Sequence, residues 1–162
     1  MNLKDNSVFK VMRHIETVRN YINLVIRELI LRQENHDQTK LQSPEVEIFD
    51  TFTPVLRNTK YGSKKYKDCM KKMEFAIKHH NANNNHHPEH YPNGINDMTL
   101  IDLLEMICDW KAASMRHNDG NILKSIELNQ KRFGYSNELK KILENTVKWL
   151  DSQKVIHYAQ ES

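Results

Sequence analysis

Apolar residues recur every three or four positions through most of this chain, which is the spacing of α-helices with one buried face. The first such stretch, residues 8–32, carries a single stripe of apolar side chains: Val11, Ile15, Val18, Ile22, Val25 (or Ile26) and Leu29. We expect one long helix here, with this stripe buried. His14 lies one turn before Val18, at the edge of the stripe.

The rest of the chain predicts further helices joined by polar loops. A second helix is expected near Ser43-Pro44-Glu45, because proline suits a first helical turn. The remaining helical patterns cover residues 64–80, 99–115, 119–131 and 136–155. Residues 54–63 and 81–94 predict loops. With only 4 glycines and 4 prolines for tight turns, the chain predicts an all-α helical bundle.

Composition narrows the class of protein. A length of 162 residues suits one domain with one core, so we predict a single domain over residues 1–162. The apolar runs are too short to cross a membrane, and the start lacks a signal-peptide pattern. Cys69 and Cys108 lie in apolar helical patterns and are expected to be reduced core residues of a cytoplasmic protein. The formal charge of +3, without a basic block, argues against long nucleic acid as a partner.

Histidine is the residue type that suggests chemistry. Five of the 9 histidines fall within residues 79–90, namely His79, His80, His86, His87 and His90. His80 continues the inward register of Met70, Met73 and Ile77, whereas His79 does not. Neutral imidazole is a common ligand of transition metals. The spacing is not that of a zinc finger, so the ligands would have to converge from separate helices.

The order of these residues resembles a known superfamily. The segment HDQTKL (residues 36–41) is similar to the His-Asp-x-x-Lys turn of the HD-domain metal-dependent phosphohydrolases. The stretch from HHPEHY to CDWKAAS resembles a branch of that superfamily, although Tyr91-Pro92 and Gly94 stand in a different order. The cyclic-dinucleotide specificity of that branch is therefore not carried over. HHPEHY and EMICDWKAA look closer still to short uncharacterised bacterial and phage proteins, over roughly residues 10–146.

The resemblance implies a fold and a set of site residues. The fold would be an HD-domain-like helical domain holding one or two divalent ions (Mn, Fe, Co, Ni, Zn or Mg). The implied ligands of the first ion are His14, His36, Asp37 and Asp109. Asp37 would bridge to a second ion bound by His80 and His87, with His86 left open as an alternative to His87. Lys40 would contact a substrate phosphate or hold Asp37. Arg116 and His117 are weaker candidates for phosphate contacts.

Such a site is expected to act on a small phosphorylated substrate, and we expect a nucleotide. A bound divalent ion supplies hydroxide at neutral pH and neutralises charge on the phosphoryl oxygens. Asp37 would sit between two ions, and Glu89 or Glu105 would orient the water or protonate the leaving group. Phosphomonoester and phosphodiester substrates both remain open.

Two other functions compete with this expectation. One is a non-catalytic metal- or nucleotide-binding helical protein that sequesters its ligand or docks on a partner. The other is a structural adaptor in which the histidines bind nothing. The sequence leaves open whether the protein forms a homo-oligomer.

Overall fold

The computed structural model describes residues 7–57, 59–60, 63–115 and 120–153, and their regular secondary structure is entirely helical, without a strand. Their seven α-helices are α1 (Ser7–Asn35), α2 (Glu45–Arg57), α3 (Lys64–Lys72), α4 (Glu74–Asn83), α5 (Leu100–Ser114), α6 (Ile122–Phe133) and α7 (Asn137–Ser152). The all-α prediction is confirmed. No helix in the described ranges is both long and apolar enough to span a membrane.

The helices group into two compact units, Met1–Asn84 and Asn85–Ser162. The boundary between the units falls inside residues 81–94, the segment predicted to be a loop. In the structure, α4 extends into the start of this segment, as far as Asn83. Two short 3-10 turns follow, Pro88–His90 and Gly94–Asp97. The prediction of one domain over residues 1–162 stays a prediction.

In unit 1, α1 differs from its expected role. No residue of this helix is buried, and its stripe faces solvent, with Ile15 44% and Ile22 53% exposed. Only residues near its end, including Glu28 and Leu29, are partly buried. The prediction of a buried stripe was wrong because helical spacing identifies a face without identifying what covers it.

In unit 1 a 3-10 turn, Gln38–Leu41, contacts both α2 and α4, and α3 packs against the same two helices. The single helix predicted over residues 64–80 is broken at Met73, where α3 ends and α4 begins. The inward face nevertheless continues across the break, since Cys69, Met73, Ala76 and His80 are all buried. This confirms the inward position of His80.

Unit 2 is built on a core between α5, α6 and α7, centred on Met106, Ile107, Ile126, Leu143 and Val147. A reciprocal cap starts α5: Thr99 Oγ1 accepts a hydrogen bond from the Asp102 N–H at 3.2 Å, and Asp102 Oδ2 accepts one from the Thr99 N–H at 2.8 Å. After α6, Gly134 adopts φ +70°. The Tyr135 hydroxyl then donates a 2.6 Å hydrogen bond to the Ile126 carbonyl. One expectation fails here, because Cys108 is exposed, whereas Cys69 is buried as predicted.

Candidate metal centre

The His36-Asp37 pair lies at the sharp turn that follows α1. Asp37 has a left-handed backbone, with φ 58° and ψ 12°, a conformation that few residues with a Cβ adopt and that aspartate tolerates better than most. Its carbonyl accepts a 2.9 Å hydrogen bond from the Lys40 N–H, which closes the 3-10 turn. The chain therefore turns at Asp37, where both His36 and Asp37 are partly buried.

The Asp37 carboxylate is surrounded by cationic and imidazole groups. Lys40 Nζ donates a 2.5 Å hydrogen bond to Oδ2. His36 Nε2 lies 3.6 Å from the same oxygen, and His80 Nε2 lies 3.2 Å from Oδ1. Burial raises the pKa of Asp37, but the hydrogen bonds from His80 and Lys40 outweigh it and hold that pKa well below its usual range. Asp37 is therefore ionised at neutral pH.

Glu45, the first residue of α2, is fully buried and receives hydrogen bonds from both adjacent histidines of α4. His79 Nδ1 lies 2.8 Å from Oε1, and His80 Nδ1 lies 2.9 Å from Oε2. The Thr39 hydroxyl also donates to Oε2, at 3.1 Å, and accepts a 3.0 Å hydrogen bond from the Asn84 amide. Glu45 thus fixes the orientation of the His80 ring from the side away from Asp37.

The neighbours of His80 indicate which of its two ring nitrogens donates to Glu45. A carboxylate only accepts hydrogen bonds, so Nδ1 carries the proton shared with Glu45. Nε2 then faces Oδ1 of an ionised Asp37, and a lone pair there would be repelled unless a proton or a cation lies between the two atoms. A histidine that donates to a carboxylate through one nitrogen and faces a cation with the other is the usual arrangement at metal sites. We call His36, Asp37, Glu45, His79 and His80 the unit 1 cluster.

The ligand types of the unit 1 cluster fit a divalent metal ion. Imidazole suits Zn, Cu, Fe and Ni, while carboxylate suits Mg, Ca and Mn. His36, Asp37 and His80 together offer both kinds of ligand, and Glu45 supplies the supporting carboxylate. The unit 1 cluster contains no cysteine, and both Cys69 and Cys108 are free thiols.

His14 does not join the unit 1 cluster. It is exposed on α1, and at about 1.5 Å of rise per residue it lies roughly 32 Å along the axis from Asn35, the residue before His36. Because α1 is continuous between them, this geometry contradicts the expectation that His14 and His36 hold the same ion.

Unit 2 contains a second group of such residues. His86 is 1% exposed, and its Nδ1 lies 3.0 Å from Glu105 Oε1 on α5. The His87 ring is half-buried beside it, with ring centroids 4.2 Å apart. We call His86, His87 and Glu105 the unit 2 cluster. Asp109 lies one turn after Glu105 on α5 and is partly buried. The structure thus gives Glu105 a histidine partner, and the choice of His87 over His86 as a ligand stays a prediction.

The remaining predicted residues have other surroundings. Glu89 forms a 2.5 Å ion pair with Arg132 of α6, so its carboxylate is engaged at the surface of unit 2. Lys40 holds Asp37, which is the second of its two expected roles. Arg116 and His117 lie outside the described residues.

Three residues of this network, Glu45, Thr39 and Asn84, were not predicted from the sequence. Glutamate in a first helical turn has a ready explanation in the helix dipole, so Glu45 drew no attention. A usable signal existed, because Glu45 shares a helical face with Phe49 and Phe52, four and seven residues further on. An acidic residue on an apolar face needs a buried partner, and the Phe49 ring does meet His80 edge-on, with centroids 6.5 Å apart.

Comparison with known proteins gives a family without an assigned activity. Comparison with the curated proteins gives no match, and comparison with the solved structures gives none either. A family model described as a family of unknown function, DUF5662, matches residues 4–154, and this chain belongs to that family.

Proposed function

We propose that this protein is a metal-dependent phosphohydrolase with an HD-domain-like helical fold, acting on a small phosphorylated substrate such as a nucleotide. The observation that carries the proposal is the arrangement Glu45–His80–Asp37, in which one buried carboxylate orients an imidazole whose other nitrogen faces an ionised carboxylate at 3.2 Å. His36 adds a second imidazole 3.6 Å from the same carboxylate. In the proposal, Asp37 bridges two divalent ions, one bound by His36 beside Oδ2 and the other by His80 beside Oδ1.

The residues of the unit 1 cluster have separate tasks in this proposal. A bound divalent ion would supply a hydroxide nucleophile and offset charge on the phosphoryl oxygens. Asp37 stays ionised at neutral pH because His80 and Lys40 hydrogen-bond to it, so no proton has to leave before it binds a cation. Glu45 keeps the His80 ring in position. Lys40, whose side chain is 33% exposed, presents a cation to a phosphate that approaches Asp37.

The chemistry of the substrate follows from the cluster and from the charge of the chain. A site made of imidazoles, one ionised carboxylate and one lysine suits an anionic oxygen ligand bound through metal and ammonium. The net charge of +3 over 162 residues does not provide the basic surface that long nucleic acid requires. We therefore propose a single nucleotide or a similarly small phosphate ester. His87, Asp109, Glu89 and Glu105 keep the roles implied by the resemblance as predictions from the sequence.

Metal content and turnover test the proposal together. The purified chain is stripped with chelator and reloaded with Mn²⁺, Co²⁺ or Ni²⁺. Its metal content is then measured by mass spectrometry, and phosphate or nucleoside release is measured on a panel of nucleotides and phosphodiesters. We expect stoichiometric metal and turnover of at least one member of the panel. Turnover that survives both metal stripping and His36→Ala would refute the proposal.

A matched pair of variants assigns the effect to the cluster. Asp37→Asn removes one carboxylate charge from the cluster, and Asp50→Asn removes one from an exposed position of α2. We expect Asp37→Asn to lose metal and turnover while Asp50→Asn keeps both. Stoichiometric metal and ligand binding without turnover under any ion would instead favour a non-catalytic binding protein, and absence of metal in the wild type would favour a structural adaptor.

A further inference from the structure

The exposed stripe of α1 has the spacing of a coiled-coil seam. Its apolar positions alternate in steps of four and three residues, which is the heptad pattern that directs one helix against another. We call this set the α1 seam: Val11, Ile15, Val18, Ile22 and Val25. Each seam residue is between 41% and 56% exposed. Leu29 continues the pattern into the partly buried end of the helix.

The residues that flank the seam widen the apolar surface. Met12, Tyr21 and Ile26 occupy the positions beside the seam and are 62%, 67% and 48% exposed. The opposite face carries mainly polar residues, including Arg13, Asn20 and Arg27, although Leu24 and Leu31 also lie on that side. The helix is therefore amphipathic, with its apolar side in contact with solvent. An isolated helix of this kind is marginal in water, because most helical stability comes from packing an apolar face.

We propose that the α1 seam docks on the α1 seam of a second copy of this chain. The seam is self-complementary, since two copies present the same length and the same alternation of steps, as an isologous interface requires. Fully burying an aliphatic side chain removes about 60–120 Å² of apolar surface from water. Counted over both copies, pairing the seam and its flanking residues would therefore bury about 1,000 Å². That area is the threshold for a specific interface.

The other helices of unit 1 are too short to cover the whole α1 seam. They have 13, 9 and 10 residues. Two of them, α2 and α4, contact the 3-10 turn that follows α1, and α3 packs against those two helices. In contrast, α1 has 29 residues and spans about 43 Å. A second α1 matches this length. The seam is β-branched throughout, which in coiled coils also permits more than two strands, so a dimer is the smallest assembly that the proposal requires.

Sedimentation velocity of the full chain over a range of concentrations tests this proposal. We expect a species of twice 19.3 kDa or a higher multiple. Ile15→Glu with Ile22→Glu places charges in the seam and should shift the protein to the monomer. Asn20→Glu with Asn23→Glu adds the same charge outside the seam and should leave the protein associated. A wild-type monomer at every concentration, or a seam variant that associates like the wild type, would overturn the proposal.

A photo-crosslinking amino acid at position 22 gives a readout that does not depend on a destabilised variant. Benzophenone reacts with any nearby C–H bond, so it reports contact whether the two helices run parallel or antiparallel. We expect a crosslinked species of twice the chain mass, with the crosslink mapped by mass spectrometry to residues 7–35 of the other copy. The same group at position 20 should give little of it. Crosslinks to residues 45–153 of the same chain would show that another element covers the seam and would overturn the proposal.

Discussion

Replacing Glu45 with glutamine removes the charge that orients His80 while leaving the side chain almost the same size. Glutamine has one acceptor oxygen, whereas the Glu45 carboxylate accepts from His79 through one oxygen and from His80 and Thr39 through the other. In Glu45→Gln, one imidazole N–H therefore faces an NH₂ group. Because Glu45 and His80 are both buried, water does not replace an acceptor lost at His80.

The expected size of this effect follows from the hydrogen bonds involved. A hydrogen bond to a charged group contributes about 1.5–3 kcal/mol, so we expect the free energy of unfolding to fall by that amount in the metal-free protein. Loss of a carboxylate that supports a ligating histidine lowers metal affinity about 10–100-fold. The first effect tests the buried network, and the second tests the proposed metal site.

Two assays separate these effects. Urea unfolding of the chelator-treated protein measures its stability. Titration with Co²⁺, monitored by the visible absorption of the bound ion, measures metal affinity and reports nitrogen ligation. Glu47→Gln makes the same chemical change at an exposed position of the same helix and should stay within about 0.5 kcal/mol of the wild type. A Glu45→Gln protein as stable as Glu47→Gln would refute the reasoning about the network. Unchanged Co²⁺ affinity in a destabilised Glu45→Gln would refute only the role of Glu45 at the metal.

Two further predictions concern unit 2. Burial, with a smaller contribution from Glu144, raises the pKa of Tyr135 to about 12, above the value of about 10 expected in the unfolded chain. Its contribution to stability is therefore complete below pH 10 and is lost as the pH rises from about 10 to about 12. Urea unfolding at a series of pH values should show this decline in the wild type and a smaller one in Tyr135→Phe, and equal slopes would contradict it. Thr99→Ala removes the side-chain half of the α5 cap and should cost about 0.5–2 kcal/mol of unfolding free energy, so an unchanged urea midpoint would contradict the role of the cap.

The sequence predicted those helices whose ends carry local chemical signals. The predicted start near Thr99 is confirmed, because Thr99 and Asp102 cap each other. The range predicted over residues 119–131 stops short of the true end of α6 at Phe133, which Gly134 terminates. The break at Met73 had no such signal, because neither glycine nor proline stands there and the apolar register runs through it. Periodicity also placed a stripe on α1 correctly but assigned it to the interior. Which surface covers a stripe depends on tertiary or quaternary contacts that a single helix does not encode.

The parts of the candidate site that lie close together in the sequence were predictable. The contacts between residues far apart in the sequence were not. His36, Asp37 and Lys40 lie within five consecutive residues, and the structure brings them together as expected. His80 could be expected to face inward from its register, although its contacts could not be named. His14 was wrongly assigned to the site because the order of motifs along the sequence does not show that one long helix separates His14 from His36. Glu45 was missed because its partners on α4 are more than thirty residues away.

The left-handed backbone of Asp37 restricts which residues can occupy this position. Glycine, asparagine and aspartate tolerate such a conformation most readily. Of the three, only aspartate also brings a negative charge to the two imidazoles and the lysine. Main-chain geometry and side-chain chemistry thus select the same amino acid independently. An alanine substitution would alter both properties at once, whereas asparagine preserves the bend and isolates the electrostatic contribution.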